Sequence, residues 1–185
     1  MAINDVLPFG KRLQKLGQWI RPKLNYTLTR WVFLPKLKSE STEVRSYAAE
    51  VLGEVGDAQA ILPLINALED TDSTVRRFAI SSLGHLRDLR AIDALIPFLA
   101  DQEADMRCAT VIALGEIGAP RSVDALIGML EDSDRAVCAA AVVALGRIGD
   151  RRAIEPLHAL EHTTTSEWIR RYVSETLHQI DERDA

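Results

Sequence analysis

A chain of 185 residues, 47% hydrophobic and 26% charged, has enough apolar material for one domain with a sizeable core. Its longest stretch without a polar side chain, Ala136 to Gly146, is too short to span a bilayer, and Cys108 and Cys138 fall in no metal-binding or redox spacing. The net charge of −5 is divided unevenly: residues 1–38 carry eight Lys/Arg against one Asp, and residues 39–185 carry 14 Arg against 26 Asp/Glu.

The opening, MAINDVLPFG, lacks the basic-then-apolar order of a secretory signal, so a cytoplasmic setting with reduced thiols is expected. The next segment interleaves Leu13, Leu16, Ile20 and Leu24 with Lys11, Arg12, Lys15, Arg21 and Lys23. Trp19, Arg30 and Trp31 add aromatic and basic character. Such a segment could lie on an anionic membrane surface or bind an acidic partner, as a peripheral anchor over residues 9–37. The rival reading comes from periodicity. Leu13, Gly17, Ile20 and Leu24 stand 31 residues before Val44, Ala48, Val51 and Val55, which predicts a degenerate helix pair capping a stack of repeats. The cap is the expectation, with its basic side open for contact.

From Val44 onward one pattern recurs every 31 residues. VRSYAAEVLGEVGD begins at Val44, VRRFAISSLGHLRD at Val75, MRCATVIALGEIGA at Met106 and VCAAAVVALGRIGD at Val137. A weaker copy, IRRYVSETLHQI, begins one residue late at Ile169. Within the first copy Val44, Ala48, Val51, Leu52 and Val55 form the stripe of an amphipathic helix. Gly56, Gly118 and Gly149 are placed to end this leading helix. Gly53, Gly84, Gly115 and Gly146 lie inside it and predict close approach of a neighbouring helix.

Asp57, Asp88 and Asp150 then offer N-cap oxygens for a trailing helix, and the third copy has Ala119-Pro120 there instead. The trailing helix buries Ala60, Ile61, Leu64, Ile65 and Leu68 and their equivalents. Acidic turns come next at Asp70–Asp72, Asp101–Glu103 and Asp132–Asp134, and the column Arg45, Arg76, Arg107 and Arg170 is expected to reach them. The predicted fold is all-α, an α-solenoid of antiparallel helix pairs. Its parts are a basic N-terminal segment over 1–38, four repeats over 39–165, and a capping helix with a short tail over 166–185.

The pattern V-R-x-x-A-x-x-x-L-G-x-[IV]-G-D followed by A-[IV]-x-x-L-[IL] resembles the HEAT-like repeats of the phycobilisome-lyase type, over residues 42–180. The resemblance implies leading helices on a convex side and trailing helices on a concave one. It also implies a light-harvesting setting, in which relatives attach bilin chromophores or serve as assembly factors.

Three surfaces are candidates for partner contact. On the concave side Arg90, Arg121 and Arg152 form one column and Asp93, Asp124 and Glu155 another. Each Arg precedes its acid by three residues, so pairing along one helix face is expected. On the outer face the columns through Cys108, Ile112, Ala139 and Val143 are apolar, whereas the equivalent Ser46, Arg77, Glu50 and Ser81 are polar. The third surface is the basic N-terminal segment.

No catalytic residue is predicted. No nucleophile elbow, P-loop or dinucleotide fingerprint occurs, and there is no His-Glu pair of the kind used by iron-dependent HEAT-like hydroxylases. His158 and His162 are four apart with no third ligand in view, so no metal site is expected. An acidic body disfavours nucleic acid. The leading expectation is a non-catalytic scaffold or assembly factor that binds a protein partner and needs no cofactor. The alternative is a phycobilin lyase subunit, in which Arg90, Arg121 and Arg152 would meet bilin propionates. The oligomeric state is left open.

Overall fold

The 31-residue register becomes a regular succession of helices in the computed structural model, which describes residues 31–183. Among these the secondary structure is helical throughout, and two compact units are distinguished, dividing between Ser82 and Leu83 inside the second repeat. The leading helices are α1 (Thr42–Val55), α3 (Ser73–Leu86), α5 (Ala104–Ile117), α7 (Arg135–Ile148) and α9 (Glu167–Arg183). The trailing helices are α2 (Ile61–Ala67), α4 (Ile92–Leu95), α6 (Val123–Gly128) and α8 (Ile154–Thr163).

Trailing helices are shorter than the apolar pattern suggests, because each begins with a 3-10 turn and two of them end in one. In the second repeat Pro97 supplies the reason. It has no N–H for the next α-type hydrogen bond, so α4 stops at Leu95 and a 3-10 turn runs over Ile96–Ala100. Pro63 and Pro156 fall in the first turn of α2 and α8, where the missing donor costs nothing.

The caps follow their chemistry. Asp57, Asp88 and Asp150 accept from the backbone N–H of Gln59, Arg90 and Arg152. Gly56, Gly118 and Gly149 close their helices at φ 76°, 71° and 73°. The second repeat has no glycine there, and Arg87 takes the left-handed conformation at φ 52°.

In the first unit Leu52, Ile61, Leu64 and Ile80 are fully buried. Ser82 sits against Gly53 and donates to the carbonyl of Ala49 at 2.8 Å. Phe33 is buried edge-on to Tyr47, 6.0 Å between ring centres, so the chain entering α1 packs on its side. In the second unit the core holds Leu95, Met106, Leu114, Leu126, Leu145 and Leu157. Here the internal glycines permit the leading helices to touch. A Cβ on Gly84 would lie 2.7 Å from the Ala113 Cα, and one on Gly115 would lie 2.7 Å from the Ala144 Cβ.

The arginine column seals the turns. Arg45 donates from Nε and Nη2 to both carboxylate oxygens of Asp70, at 2.6 and 2.9 Å. Its Nη1 donates to the carbonyls of Ser39 and Glu40. Arg107 repeats this on Asp132, at 2.7 and 2.9 Å, and on the carbonyls of Asp101 and Gln102. Arg76 binds the carbonyls of Asp70 and Thr71, and Arg170 those of Thr164 and Glu161. The guanidinium groups hold the Asp70 and Asp132 carboxyls below the usual carboxylate range.

Candidate functional site

The charged ladder of the trailing helices lies in the second unit. Arg90, Arg121 and Arg152 stand in the 3-10 turns Leu89–Ala91, Pro120–Ser122 and Arg151–Ala153. The expected pairs Arg90/Asp93, Arg121/Asp124 and Arg152/Glu155 are corrected by the structure. Arg90 instead folds back on its own cap, Asp88, at 2.9 and 2.7 Å. Arg121 reaches Asp93, 28 residues earlier, in the preceding repeat. Arg152 likewise reaches Asp124 at 3.0 Å, together with Asp150 at 2.8 Å and the carbonyl of Pro120 at 2.6 Å.

The reason lies in the turn. An arginine before the first full helical turn is not stacked over the residue three places on, so the i,i+3 rule of a continuous helix does not govern it. Cap carboxylates and the acid of the repeat before are nearer. Glu155 is exposed and pairs with no arginine among the described residues. The ladder is open to solvent, with the Arg90, Arg121 and Arg152 side chains 54%, 55% and 45% exposed. Arg90 still draws the Asp88 carboxyl down to about 2. Any anion arriving here competes at each arginine with a carboxylate already in place.

The outer face of the second unit has a different character. Ile112 on α5 and Val143 on α7 are exposed, at 45% and 37%, while Cys108 and Ala139 are half-buried. Burial pushes the Cys108 thiol up, away from the reactive thiolate. Between α5, α7 and α9 runs an open groove of about 320 Å³. Its floor is Ala139, Ala140 and Ala144 of α7, with Ile112 on one side and Trp168 and Tyr172 of α9 on the other. The two aromatic rings meet edge-on at 6.0 Å, and each residue is 45% exposed.

Trp168 and Tyr172 are absent from the sequence-based candidates. The last copy starts one residue late, so its register places Arg171 and Glu175 in the outer columns; these two pair with each other at 2.8 Å. A usable signal lies in the column Tyr47, Phe78, Ala109, Ala140, Tyr172. Two alanines replace aromatic side chains there, and the second of them, Ala140, lies in the floor of the groove.

His158 is half-exposed beside Glu161 at 3.5 Å. Of the basic N-terminal candidates, Lys11, Arg12, Lys15, Trp19, Arg21, Lys23 and Arg30 lie outside the described residues. Trp31 is 74% exposed. Among the described residues no helix is long and apolar enough to cross a membrane.

A family model described as HEAT repeats matches residues 32–107 and 92–178. No curated protein matches the chain. Among solved structures, an engineered protein from the Northeast Structural Genomics Consortium is similar with a TM-score of 0.68 at 18% identity, covering 94% of this chain and 90% of that one. A designed armadillo repeat protein in complex with the peptide (KR)4 gives 0.65 at 18% identity, covering 92% and 86%. The complex of CpcE and CpcF of phycocyanin lyase from Nostoc sp. PCC7120 gives 0.55 at 22% identity, covering 97% of each chain. At these identities the likeness shows the fold, an α-solenoid of helix pairs, and nothing finer.

Proposed function

Because the chain belongs to the HEAT-repeat family, we propose that it acts as a non-catalytic scaffold holding a protein partner in the groove between α5, α7 and α9. The observation that carries this reading is the group of exposed apolar side chains, Ile112, Val143, Trp168 and Tyr172, that line one open groove with Arg147 beside them. Large apolar side chains gathered in one open trough favour a partner's apolar segment, and central aromatic residues are the usual anchors of such contacts. Among solved structures similar in fold, the designed armadillo repeat protein is in complex with a peptide and CpcE is in complex with CpcF, which supports the same class of role.

The test is a comparison of wild type with Ile112→Asp/Val143→Asp and with Ala140→Tyr in pull-downs from source lysate. Ala140→Tyr restores the aromatic side chain that the first two repeats carry and fills the floor. Loss of the same abundant protein from both variants, at unchanged melting temperature, supports the reading. Identical recoveries reject it.

The phycocyanin lyase likeness favours a second reading, a lyase subunit that presents a bilin to a client protein. Against it stand the carboxylates already paired with Arg121 and Arg152. Mixing the protein with a free bilin, alone and with a candidate partner subunit, separates the readings. An unchanged absorbance spectrum in both mixtures removes the lyase.

A further inference from the structure

The arginine column has one break. Four copies of the pattern place an arginine at the same register: Arg45, Arg76, Arg107 and Arg170, the last one residue late. Arg45, Arg76 and Arg107 donate Nη1 to the two carbonyls five and six residues before them, and Arg170 binds two carbonyls ahead of its own helix. The fourth repeat has Cys138 there instead, its thiol turned to the carbonyl of Leu130 at 3.2 Å. The partner position changes with it. Asp70 and Asp132 lie 25 residues after Arg45 and Arg107, whereas the residue 25 after Cys138 is Thr163.

Removing both members of the pair leaves space. A cleft of about 280 Å³ is lined by Cys138 and Thr163, with Asp132, Glu131, Arg135 and Ser166 around them. The carbonyls that correspond to those held by the other arginines belong to Asp132, which lines the cleft, and to its exposed neighbour Ser133, and no side chain among the described residues donates to either. The cleft therefore keeps an acceptor of an arginine site and lacks the arginine.

We propose that this cleft receives a guanidinium group, an arginine side chain presented by a partner protein, which completes in trans the clamp that the other repeats complete in cis. The bare Asp132 carbonyl, the threonine hydroxyls and Glu131 supply acceptors that suit a planar fork of donors. An anion is disfavoured, because Glu131 lines the cleft and Glu167 occupies the first turn of α9, whereas the Asp132 carboxylate is already held by Arg107. Arg135 opposes the incoming charge from the lining, so its removal should tighten the site. The inference stands apart from the apolar groove and does not depend on it.

The experiment is a nuclear magnetic resonance titration of the full chain with a capped Gly-Arg-Gly peptide, its citrulline analogue and inorganic phosphate. The arginine peptide is expected to move backbone amides in 130–138 and 163–169. The citrulline peptide, equal in shape but uncharged, should bind about tenfold more weakly. Arg135→Ala should strengthen the arginine response. Cys138→Arg/Thr163→Asp, which rebuilds the Arg107–Asp132 pair in the fourth repeat, should abolish it and raise the melting temperature. No response to the arginine peptide, an equal response to citrulline, or the same shifts with phosphate overturns the proposal. If the double variant fails to fold, the citrulline comparison on wild type decides alone.

Discussion

The seam between successive leading helices and the ladder along the trailing helices use the same two side chains, arginine and aspartate, to different ends. In the seam, Arg107 and Asp132 are 14% and 6% exposed, and their bidentate pair is backed by two carbonyls. In the ladder, Arg121 and Asp93 are 55% and 71% exposed. Repetition alone does not distinguish them; both recur with the period. Burial does, because a desolvated pair left half-broken strands a charge, whereas an exposed one returns to water. The seam holds the stack together and the ladder decorates it.

The largest expected effect comes from prising the seam apart. Gly115→Val puts a branched side chain where a single Cβ already meets Ala144 at 2.7 Å. It should cost about 3 kcal/mol, or roughly 10 °C in thermal midpoint, measured by circular dichroism. A loss of less than about 1 kcal/mol would mean that the helices separate freely, and the contrast with the ladder would weaken.

Next in size is the direct exchange of the two arginines. Arg107→Met should lower the midpoint by several degrees, while Arg121→Met should move it by about a degree or less. High salt should erase the second effect and leave the first. Equal losses would show that burial is not what separates the two regions.

Acid titration sharpens the same contrast. Asp70 and Asp132 have folded-state values below their unfolded ones, with hydrogen bonds from Arg45 and Arg107 as the main cause. Stability from these pairs is thus fully present above the unfolded carboxylate range and is lost as pH falls through the folded values. Asp88 follows the same sign, with its window running from 3.8 down to about 2. The midpoint of wild type should be flat from neutrality to mild acid and fall below about pH 4. Arg107→Met should show a shallower fall, since Asp132 then titrates nearer its ordinary value.

The smallest expected effects are gains. Gly128 has helical backbone and nothing within 4 Å of an added methyl, so Gly128→Ala should add about 0.5–1 kcal/mol. Arg87→Gly should add a similar amount, about 1 kcal/mol, by relieving the left-handed arginine. Neither side chain takes part in a seam or ladder pair, although Arg87 adjoins Asp88, and a loss from either would place a contact where none is seen.

Much of this was legible in the sequence because the repeat fixes local geometry. Gly118 and Gly149 end helices where the spacing puts them, and Asp88 and Asp150 cap where a cap is needed. The ladder pairing was not legible, since spacing along one helix says nothing of a side chain that reaches the repeat before. Trp168 and Tyr172 escaped because they stand in columns beside the outer ones, and only the packing of α9 against α7 shows that those columns face the groove. The break at Cys138 was visible as a letter, but its meaning needed the carbonyls that Arg107 holds and that Cys138 cannot.

The backward reach of the ladder gives the chain a direction. Arg121 closes on Asp93 and Arg152 on Asp124, so the third repeat carries both a plug for the repeat before and a socket for the one after. Residues 104–134 thus form a cassette that can be duplicated in place. The extra copy's arginine would find a waiting carboxylate, and its own carboxylate would receive the arginine of the next repeat. Length, on this scaffold, is a quantity that can be dialled without redesigning any joint.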